Sequence, residues 1–198
     1  MIKTIGVIGA GQMGNGIAHV CALAGYDVLL QDINPEQLKK AIETITTNLH
    51  RQVARGKITE ADSAKALSLI RTTTDIKDFA QTDFVVEAAT ENEGVKKKIF
   101  ADLCPVLKPE ALLATNTSSI SVTRLASATD RPEKFMGMHF MNPVPVMQLV
   151  ELIRGIATSE ETFQAIKELT LKLGKTPAVA EDFPAFIVNR ILLPMINE

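Results

Sequence analysis

The stretch KTIGVIGAGQMGNGIAHVCALAGYDVLLQD, residues 3–32, decides the fold, because it predicts a strand, a glycine turn, a helix and a second strand in one run. The first strand is carried by three β-branched apolar residues, Ile5, Val7 and Ile8. A helix is predicted from Gln12 to Ala24, and Gly25 ends it. Residues 26–31 then predict a second buried strand. A strand–helix–strand unit of this kind is typical of a parallel sheet covered by helices.

The turn between the first strand and the helix has glycines in G-x-G-x-x-G spacing. Gly9 makes the tight turn, Gly11 lets a pyrophosphate approach the backbone, and Gly14 lets the helix pack against the strand. The helix points its free N–H groups and the positive end of its dipole at that phosphate. Asp32 lies at the end of the second strand, where a carboxylate can accept hydrogen bonds from ribose hydroxyls. The run therefore predicts a dinucleotide site, and a turn without a ligand would leave Gly11 unexplained.

The acid at position 32 indicates which dinucleotide binds. Asp32 repels the additional phosphate of NADP, and no arginine follows it immediately to compensate. We therefore expect NAD as the cofactor. The turn residues predicted to contact it are Gly9, Ala10, Gly11, Gln12, Met13 and Gly14.

Composition favours a soluble globular protein over one that binds nucleic acid or a membrane. The 198 residues are 46% hydrophobic and carry 21 basic and 23 acidic side chains, which are interspersed and leave a net charge of -2. No signal peptide precedes the first strand, and no apolar run reaches the length of a membrane span. Cys21 and Cys104 have neither C-x-x-C spacing nor metal-ligand neighbours, so we expect reduced thiols, no metal site and a cytoplasmic protein.

Residues 34–69 predict a helical hairpin. Pro35 suits the first turn of a helix, and an apolar face follows at helical spacing, formed by Leu38, Ile42, Ile45, Leu49 and Val53. Gly56 breaks this helix, and Thr59 begins a second one before a short strand at 70–73. Because the first helix is longer than an ordinary crossover helix, we expect the hairpin to protrude from the sheet.

The rest of the chain alternates strands with helices. Strands are predicted at 83–88, 112–114, 135–140, 149–153 and 176–180, and helices at 91–103, 122–127 and 160–173. We predict an α/β fold with a Rossmann-like, doubly wound, mainly parallel sheet over residues 1–182. Residues 183–198 hold an apolar helix starting at Ala185. We assign this helix to a second, helical domain absent from this chain, or to a contact with another copy.

His139 and Glu151 are the residues best placed for proton transfer. Of the three histidines, His139 alone lies at a strand end, and Glu151 follows inside an apolar strand, where an unpaired carboxylate is costly. The turn at 142–146 lets the two strands lie side by side. A carboxylate on one ring nitrogen raises the basicity of the other, as a general base near neutral pH requires. The alternative is a core histidine satisfied by the backbone, with Glu151 at an edge.

At these residues the chain resembles the L-3-hydroxyacyl-CoA dehydrogenases, a family that includes the bacterial 3-hydroxybutyryl-CoA dehydrogenases. The resemblance covers all 198 residues. It rests on five blocks in order, GVIGAGQMGNGIA (6–18), VVEAATEN (85–92), TNTSSISVT (115–123), MHFMNPVPVMQLVE (138–151) and DFPAFIVNRIL (182–192). It implies reversible hydride transfer between NAD and the 3-hydroxyl of an L-3-hydroxyacyl-CoA.

The resemblance also implies roles for individual residues. His139 would be the catalytic acid/base and Glu151 its orienting partner. Ser118 would hydrogen-bond the 3-oxygen of the substrate, and Asn189 would position the thioester and the histidine. Residues that match positions near the nicotinamide and its ribose are Glu91, Lys96, Asn116, Ser118 and Asn142. Each has a plain alternative: Ser118 as a helix cap, Asn189 on a polar helix face, and Glu91 with Lys96 as a surface pair.

Coenzyme A carries phosphates that need cations, and the hairpin offers Arg51, Arg55 and Lys57. The family binds coenzyme A along this region, although a solvated charged face explains the same residues. The family continues into a helical domain that forms a homodimer and closes the acyl pocket, so we expect this chain to bind acyl-CoA more weakly. Two other functions remain open, a gulonate-type hydroxy-acid dehydrogenase on the same scaffold and a non-catalytic NAD-binding module.

Overall fold

The computed structural model describes residues 2–198, in which eight strands form one sheet. The strands are β1 Thr4–Ile8, β2 Asp27–Gln31, β3 Ile70–Thr73, β4 Phe84–Glu87, β5 Leu112–Thr115, β6 Phe135–Phe140, β7 Leu149–Arg154 and β8 Thr176–Glu181. The helices are α1 Gln12–Leu23, α2 Pro35–Ala54, α3 Glu60–Ser68, α4 Glu93–Leu103, α5 Val122–Ala126, α6 Glu160–Lys172 and α7 Val188–Asn197. Short 3-10 helices at Ile76–Gln81 and Pro132–Lys134 precede β4 and β6.

The strand order is β3-β2-β1-β4-β5-β6-β7-β8. All neighbours are parallel except β6 and β7, which are antiparallel because only the short loop 141–148 joins them. Buried apolar residues form one cluster on each face of the sheet, one packed with α1, α2 and α6 and the other with α4 and α5. The predicted Rossmann-like, mainly parallel α/β fold is confirmed. Its glycine turn and the residues after β4 and β5 lie at the carboxyl edge of the parallel strands.

The hairpin formed by α2 and α3 is present, but the prediction that it protrudes is wrong. Leu38, Ala41, Ile45 and Leu49 on α2 are buried in the same cluster as Ile17 on α1. An apolar stripe that long removes more surface from water when it lies along a neighbouring helix than when it projects into solvent. Hairpin residues 54–57 at the turn are exposed.

The last helix begins three residues later than predicted, at Val188 instead of Ala185. Ala185 and Phe186 have φ values of 67° and 49°, in the left-handed region, so the right-handed helix cannot include them. Five apolar side chains of α7 are exposed, those of Ile191, Leu192, Leu193, Met195 and Ile196. Among residues 2–198, no helix combines the length and the apolar character needed to cross a membrane.

Candidate active site

The glycine turn has the shape that its spacing predicts. Gly9 has φ +94°, and a Cβ there would lie 2.5 Å from the Cα of Ala89. A Cβ on Gly14 would lie 1.7 Å from the carbonyl oxygen of Gly9, so α1 and the end of β1 touch through backbone. Gly11 differs, because a Cβ there would meet no atom within 4 Å. The space in front of Gly11 is therefore open in the structure.

Asp32 ties the glycine turn to the end of β2. One carboxylate oxygen accepts from the Ala10 N–H at 2.8 Å, and the other accepts from the Asn34 N–H at 3.0 Å. The backbone N–H of Asp32 donates to Thr73 at the end of β3. A cleft of about 490 Å³ lies beside these strand ends, lined by the start of α2 and by residues 72–74. Through these hydrogen bonds Asp32 connects the glycine turn to Thr73, which lines this cleft.

The dyad predicted from the sequence forms a direct hydrogen-bonded pair. His139 and Glu151 are cross-strand partners on β6 and β7, and Nδ1 lies 2.7 Å from Oε2. Both are buried, with exposed fractions of 6% and 0%. The other carboxylate oxygen, Oε1, accepts the N–H groups of Ile187 and Val188 at 2.9 and 2.8 Å. Burial alone would raise the pKa of Glu151, but the hydrogen bonds from His139, Val188 and Ile187 hold it below its usual value.

The second ring nitrogen of His139 faces Ser118, with Nε2 and Oγ 3.2 Å apart. Asn189 donates from Nδ2 to the backbone carbonyl of Ser118 at 3.1 Å, so it lies on the same side of the imidazole. Asn116 accepts the Phe140 N–H at 2.8 Å and fixes the end of β6. Ser118 therefore contacts the histidine directly, while Asn189 and Asn116 hold its neighbours Ser118 and Phe140.

Glu91 organises the polar run after β5. Its Oε1 accepts from the hydroxyl of Thr117 at 2.6 Å, from the N–H of Ser118 at 2.8 Å, and from both the N–H and the hydroxyl of Ser119 at 3.0 Å. Burial acts to raise the pKa of Glu91, but the hydrogen bonds from Thr117 and Ser118 lower it overall. The carboxylate therefore holds the backbone that presents Ser118 to His139.

Lys96 does not form a surface pair with Glu91. It is buried, and its Nζ lies 2.5 Å from Oε2 of Glu87, which also accepts the hydroxyl of Thr115 at 2.9 Å. The second oxygen of Glu87 accepts the Ala89 N–H at 2.8 Å. Glu87 thus supports the candidate site through Lys96, a contact that was not predicted from the sequence. The signal was available, because Glu87, like Glu151, is a carboxylate inside an apolar strand.

One cleft of about 290 Å³ brings together seven of the predicted cofactor-binding residues, Gly11, Gln12, Met13, Glu91, Lys96, Asn116 and Ser118. A larger cleft of about 770 Å³ lies among the opposite ends of the strands, where Asp83 and Lys108 pair, and it contains none of the predicted site residues. The side chains of Glu91, Lys96, Asn116 and Ser118 therefore converge in the smaller cleft, and Ser118 also contacts His139.

Four other predicted residues lie at exposed positions of other segments. Asn142 is exposed on the loop after β6, next to a cis bond to Pro143. Arg51, Arg55 and Lys57 are exposed at the end of α2 and just beyond it. Lys57 also lines a cleft of about 440 Å³ with Lys172 and Lys175, a neighbourhood that the sequence did not indicate.

The fold and the site define a class. A glycine turn between β1 and α1, an acid at the end of β2, and a buried His–Glu pair at the same edge of a parallel sheet are the features of an NAD-dependent oxidoreductase.

Comparison with known proteins gives the family. Residues 4–183 match the model of the 3-hydroxyacyl-CoA dehydrogenase, NAD binding domain. The chain belongs to this family. It is 64% identical over 198 residues to the 3-hydroxybutyryl-CoA dehydrogenase of Bradyrhizobium diazoefficiens, covering 100% of this chain and 68% of that protein. It is also 46% identical over 197 residues to the 3-hydroxyadipyl-CoA dehydrogenase of Escherichia coli, covering 100% of this chain and 42% of that protein.

A solved structure shows the same fold. The crystal structure of (S)-3-hydroxybutyryl-CoA dehydrogenase from Ralstonia eutropha superposes with a TM-score of 0.97 at 48% identity, covering 100% of this chain and 70% of that one.

Proposed function

We propose that this chain interconverts an L-3-hydroxyacyl-CoA, with 3-hydroxybutyryl-CoA as the preferred substrate, and the corresponding 3-ketoacyl-CoA. The observation that carries the proposal is the buried pair His139–Glu151. Its Nδ1 and Oε2 atoms are 2.7 Å apart, and the second ring nitrogen, Nε2, faces Ser118. The similarity to a 3-hydroxybutyryl-CoA dehydrogenase at 64% identity supports the choice of substrate.

The residues of the turn fit NAD. The open space in front of Gly11 admits a pyrophosphate, and the first turn of α1 offers N–H groups that have no partner within the helix. Asp32 and the cleft at residues 72–74 would hold the adenosine. Glu91, Lys96, Asn116 and Asn142 would lie at the nicotinamide end. When bound, NAD supplies the hydride acceptor.

The side chains of the site would handle the proton. In the oxidation direction, Nε2 of His139 accepts the proton of the 3-hydroxyl while Ser118 Oγ hydrogen-bonds the same oxygen. The imidazolium that forms is stabilised by Glu151 through Nδ1–H. Asn189, next to the carbonyl of Ser118, would position the thioester. In the reduction direction the histidine returns the proton to the 3-oxygen.

The decisive test is reduction of acetoacetyl-CoA by NADH, followed through the absorbance of NADH, with free acetoacetate as the comparison. We expect turnover with the CoA ester and hardly any with the free acid. The variant His139→Gln should lose a factor of about 100 to 10000 in kcat, the usual effect of removing a positioned acid/base. The control His50→Gln changes an exposed histidine on α2 and should keep normal turnover.

The outcomes separate the competing functions. Equal turnover of free acetoacetate would favour a hydroxy-acid dehydrogenase of the gulonate type. NADH binding by calorimetry without turnover of either compound would indicate a non-catalytic module. Normal kcat in His139→Gln would refute the role of the dyad.

We also propose a division of the chain into an NAD-binding unit, 1–182, and a segment, 183–198, that begins a second unit. The exposed apolar side chains of α7 support it. The same proposal includes a homodimer formed by that second unit and a cytoplasmic location. It also includes a coenzyme A site at Arg51, Arg55 and Lys57. Replacing all three cations with glutamine should raise KM for acetoacetyl-CoA while leaving NADH affinity unchanged.

A further inference from the structure

One short segment supports both sides of the His139 imidazole. This segment, Asp182–Asn189, is called the strap below. Glu151, the partner of Nδ1, accepts two N–H groups of the strap, those of Ile187 and Val188. Ser118, the neighbour of Nε2, accepts the strap's Asn189 side chain at its carbonyl. A displaced strap would therefore release both hydrogen-bond partners of the histidine together.

The strap is held at its other end by Asp182. Its carboxylate accepts the Ser121 hydroxyl at 2.7 Å, the Val122 N–H at 2.9 Å and the Thr123 N–H at 2.8 Å, all at the start of α5. Three donors to one half-buried carboxylate make a strong connection, because hydrogen bonds to a charged group exceed those between neutral groups. Burial acts to raise the pKa of Asp182, but the hydrogen bonds from Thr123 and Ser121 lower it overall, so the group is ionised at neutral pH.

The middle of the strap is strained and packed. Ala185 and Phe186 are both in the left-handed region, which disfavours residues with a Cβ. Such a backbone persists only where surrounding contacts determine it. Phe186 is 4% exposed, and its ring centroid lies 6.1 Å from that of His139. The fixed ends of the strap therefore maintain its conformation.

We propose that Asp182 is a positioning residue for the dyad: it fixes the strap to α5 so that Glu151 and Ser118 stay in place on either side of the imidazole. Within residues 2–198 the Asp182 carboxylate hydrogen-bonds to the start of α5 and not to His139, so it acts on the histidine through the strap. The consequence for turnover rests on the proposed function, whereas the consequence for the histidine itself does not.

The test compares Asp182→Asn with Asp62→Asn. Asp62 accepts the Thr59 backbone N–H in the capping box of α3, so its variant removes a hydrogen-bonded carboxylate from the start of a different helix, on the α2–α3 hairpin. The first readout is the ¹⁵N spectrum of the His139 ring in the unliganded protein, which reports the fraction with the proton on Nδ1. The second is amide exchange at Ile187 and Val188. The third is kcat with acetoacetyl-CoA alongside NADH affinity.

In Asp182→Asn we expect a mixed tautomer at His139 and exchange at Ile187 and Val188 faster by about tenfold or more. We expect kcat to fall about 10- to 100-fold, because a small misplacement of a reacting group is costly, while NADH affinity changes less than about twofold. Asp62→Asn should leave all of these unchanged. If Asp182→Asn does not fold, Asp182→Glu keeps the charge and should show the same pattern to a smaller degree.

Ring spectra and exchange rates like those of the unsubstituted protein, or equal changes in the Asp62→Asn control, would overturn the proposal. If the unsubstituted protein does not reduce acetoacetyl-CoA, the proposed function fails, but the ring spectrum and the exchange rates still decide the role of Asp182.

Discussion

Glu151 shows how one residue supports a buried charge. It is fully buried, and an isolated carboxylate there would be strongly disfavoured. Each of its two oxygens has different hydrogen-bond partners. Oε2 pairs with Nδ1 of His139, and Oε1 accepts two backbone N–H groups at the start of α7. The positive end of that helix adds to the stabilisation. The ionised form is therefore satisfied within the protein.

Glu151→Gln should preserve this shape and change the chemistry. The amide oxygen still accepts the N–H groups of α7, but the amide nitrogen donates to Nδ1 of His139 and selects the wrong tautomer. We expect kcat to fall by a factor of about 100 to 10000, as a misplaced proton does in other histidine–carboxylate pairs. Steady-state kinetics with acetoacetyl-CoA measure this. Glu161→Gln, at an exposed position of α6, is the control, and a normal kcat in Glu151→Gln would contradict the tautomer role.

Ala185 offers a stabilising substitution. At φ 67° its Cβ is disfavoured by about 1–2 kcal/mol, whereas glycine adopts this conformation without strain. Because glycine also costs more conformational entropy on folding, Ala185→Gly should raise the free energy of unfolding by a net of about 0.5–1 kcal/mol. Urea unfolding measures the change.

Ala61→Gly is the matched control for that substitution. Ala61 is exposed inside α3, where glycine is the poorer residue, so the control should lower the free energy of unfolding by about 0.5–1 kcal/mol. Changes of the same sign at both positions would contradict the strain at Ala185.

At the scale of elements, the unit β1–turn–α1 contains two glycines with different reasons to lack a side chain. Gly14 is needed by the fold, because a Cβ would overlap the carbonyl of Gly9. Gly11 is not needed by the fold, because the space in front of it is open. The G-x-G-x-x-G pattern therefore contains one glycine that packing requires, Gly14, and one, Gly11, that we propose is required by the bound dinucleotide.

The pair Gly11→Ala and Gly14→Ala separates these requirements. We expect Gly11→Ala to change the free energy of unfolding by less than about 0.5 kcal/mol and to weaken NADH binding at least about tenfold, because the added methyl occupies the approach of the pyrophosphate. Gly14→Ala should lower stability by more than about 2 kcal/mol through overpacking. Thermal unfolding and calorimetry with NADH measure both. Unchanged NADH affinity in Gly11→Ala would argue against a pyrophosphate at the turn.

Most elements were predictable because each has its own local signal. The apolar runs and glycine or proline boundaries predicted β1, α1 and α2 to within about one or two residues. The packing of α2 along α1 was not predictable, since periodicity shows which face is apolar but not what covers it. The late start of α7 was not predictable for another reason. Ala185 and Phe186 are residue types that rarely adopt the left-handed region, and only contacts across the molecule hold them there.

Part of the candidate site was predictable, because some of its side chains are polar or charged although they lie in apolar strands. His139 and Glu151 drew attention because a carboxylate in an apolar strand needs a partner, and the short loop 141–148 brought them together. The family blocks extended this to Ser118 and Asn189. The hydrogen bonds from the N–H groups at the start of α7 to Glu151 could not be predicted from the sequence, because almost every residue type has a backbone N–H.

At the scale of the whole molecule, His19 lies where α1, α2 and the segment after α6 meet. It is 1% exposed, and neither ring nitrogen has a hydrogen-bond partner among residues 2–198. Burial lowers its pKa from 6.5 to about 4. The neighbouring Gln52 side chain, which is too far or too poorly aligned for a full hydrogen bond, acts weakly to raise the pKa, and the positive charge of Lys175 acts to lower it. The folded protein therefore holds this imidazole neutral.

Stability should fall on acidification through this window. Between pH 6.5 and 4 the unfolded chain binds a proton at His19 that the folded chain does not. The contribution of neutral His19 to the free energy of unfolding is fully present above pH 6.5. As the pH falls toward 4, this free energy decreases by up to about 1.4 kcal/mol per pH unit. His19→Gln should flatten the dependence measured by urea unfolding, and the exposed His50→Gln should not. An equal pH slope in His19→Gln and the unsubstituted protein would contradict a neutral buried imidazole.

The antiparallel pairing of β6 with β7 also limits where residues can be inserted, because side chains alternate between the two faces of the sheet. His139 and Glu151 face one another because they are directly paired, and side chains alternate between the two faces along each strand. One residue inserted in β7 ahead of Glu151, with the rest of the pairing kept, would carry the acid through to the far side of the sheet. The same insertion in loop 141–148 would leave acid and base opposed, so natural or engineered variation in length can accumulate in the connection but not in the strands it joins.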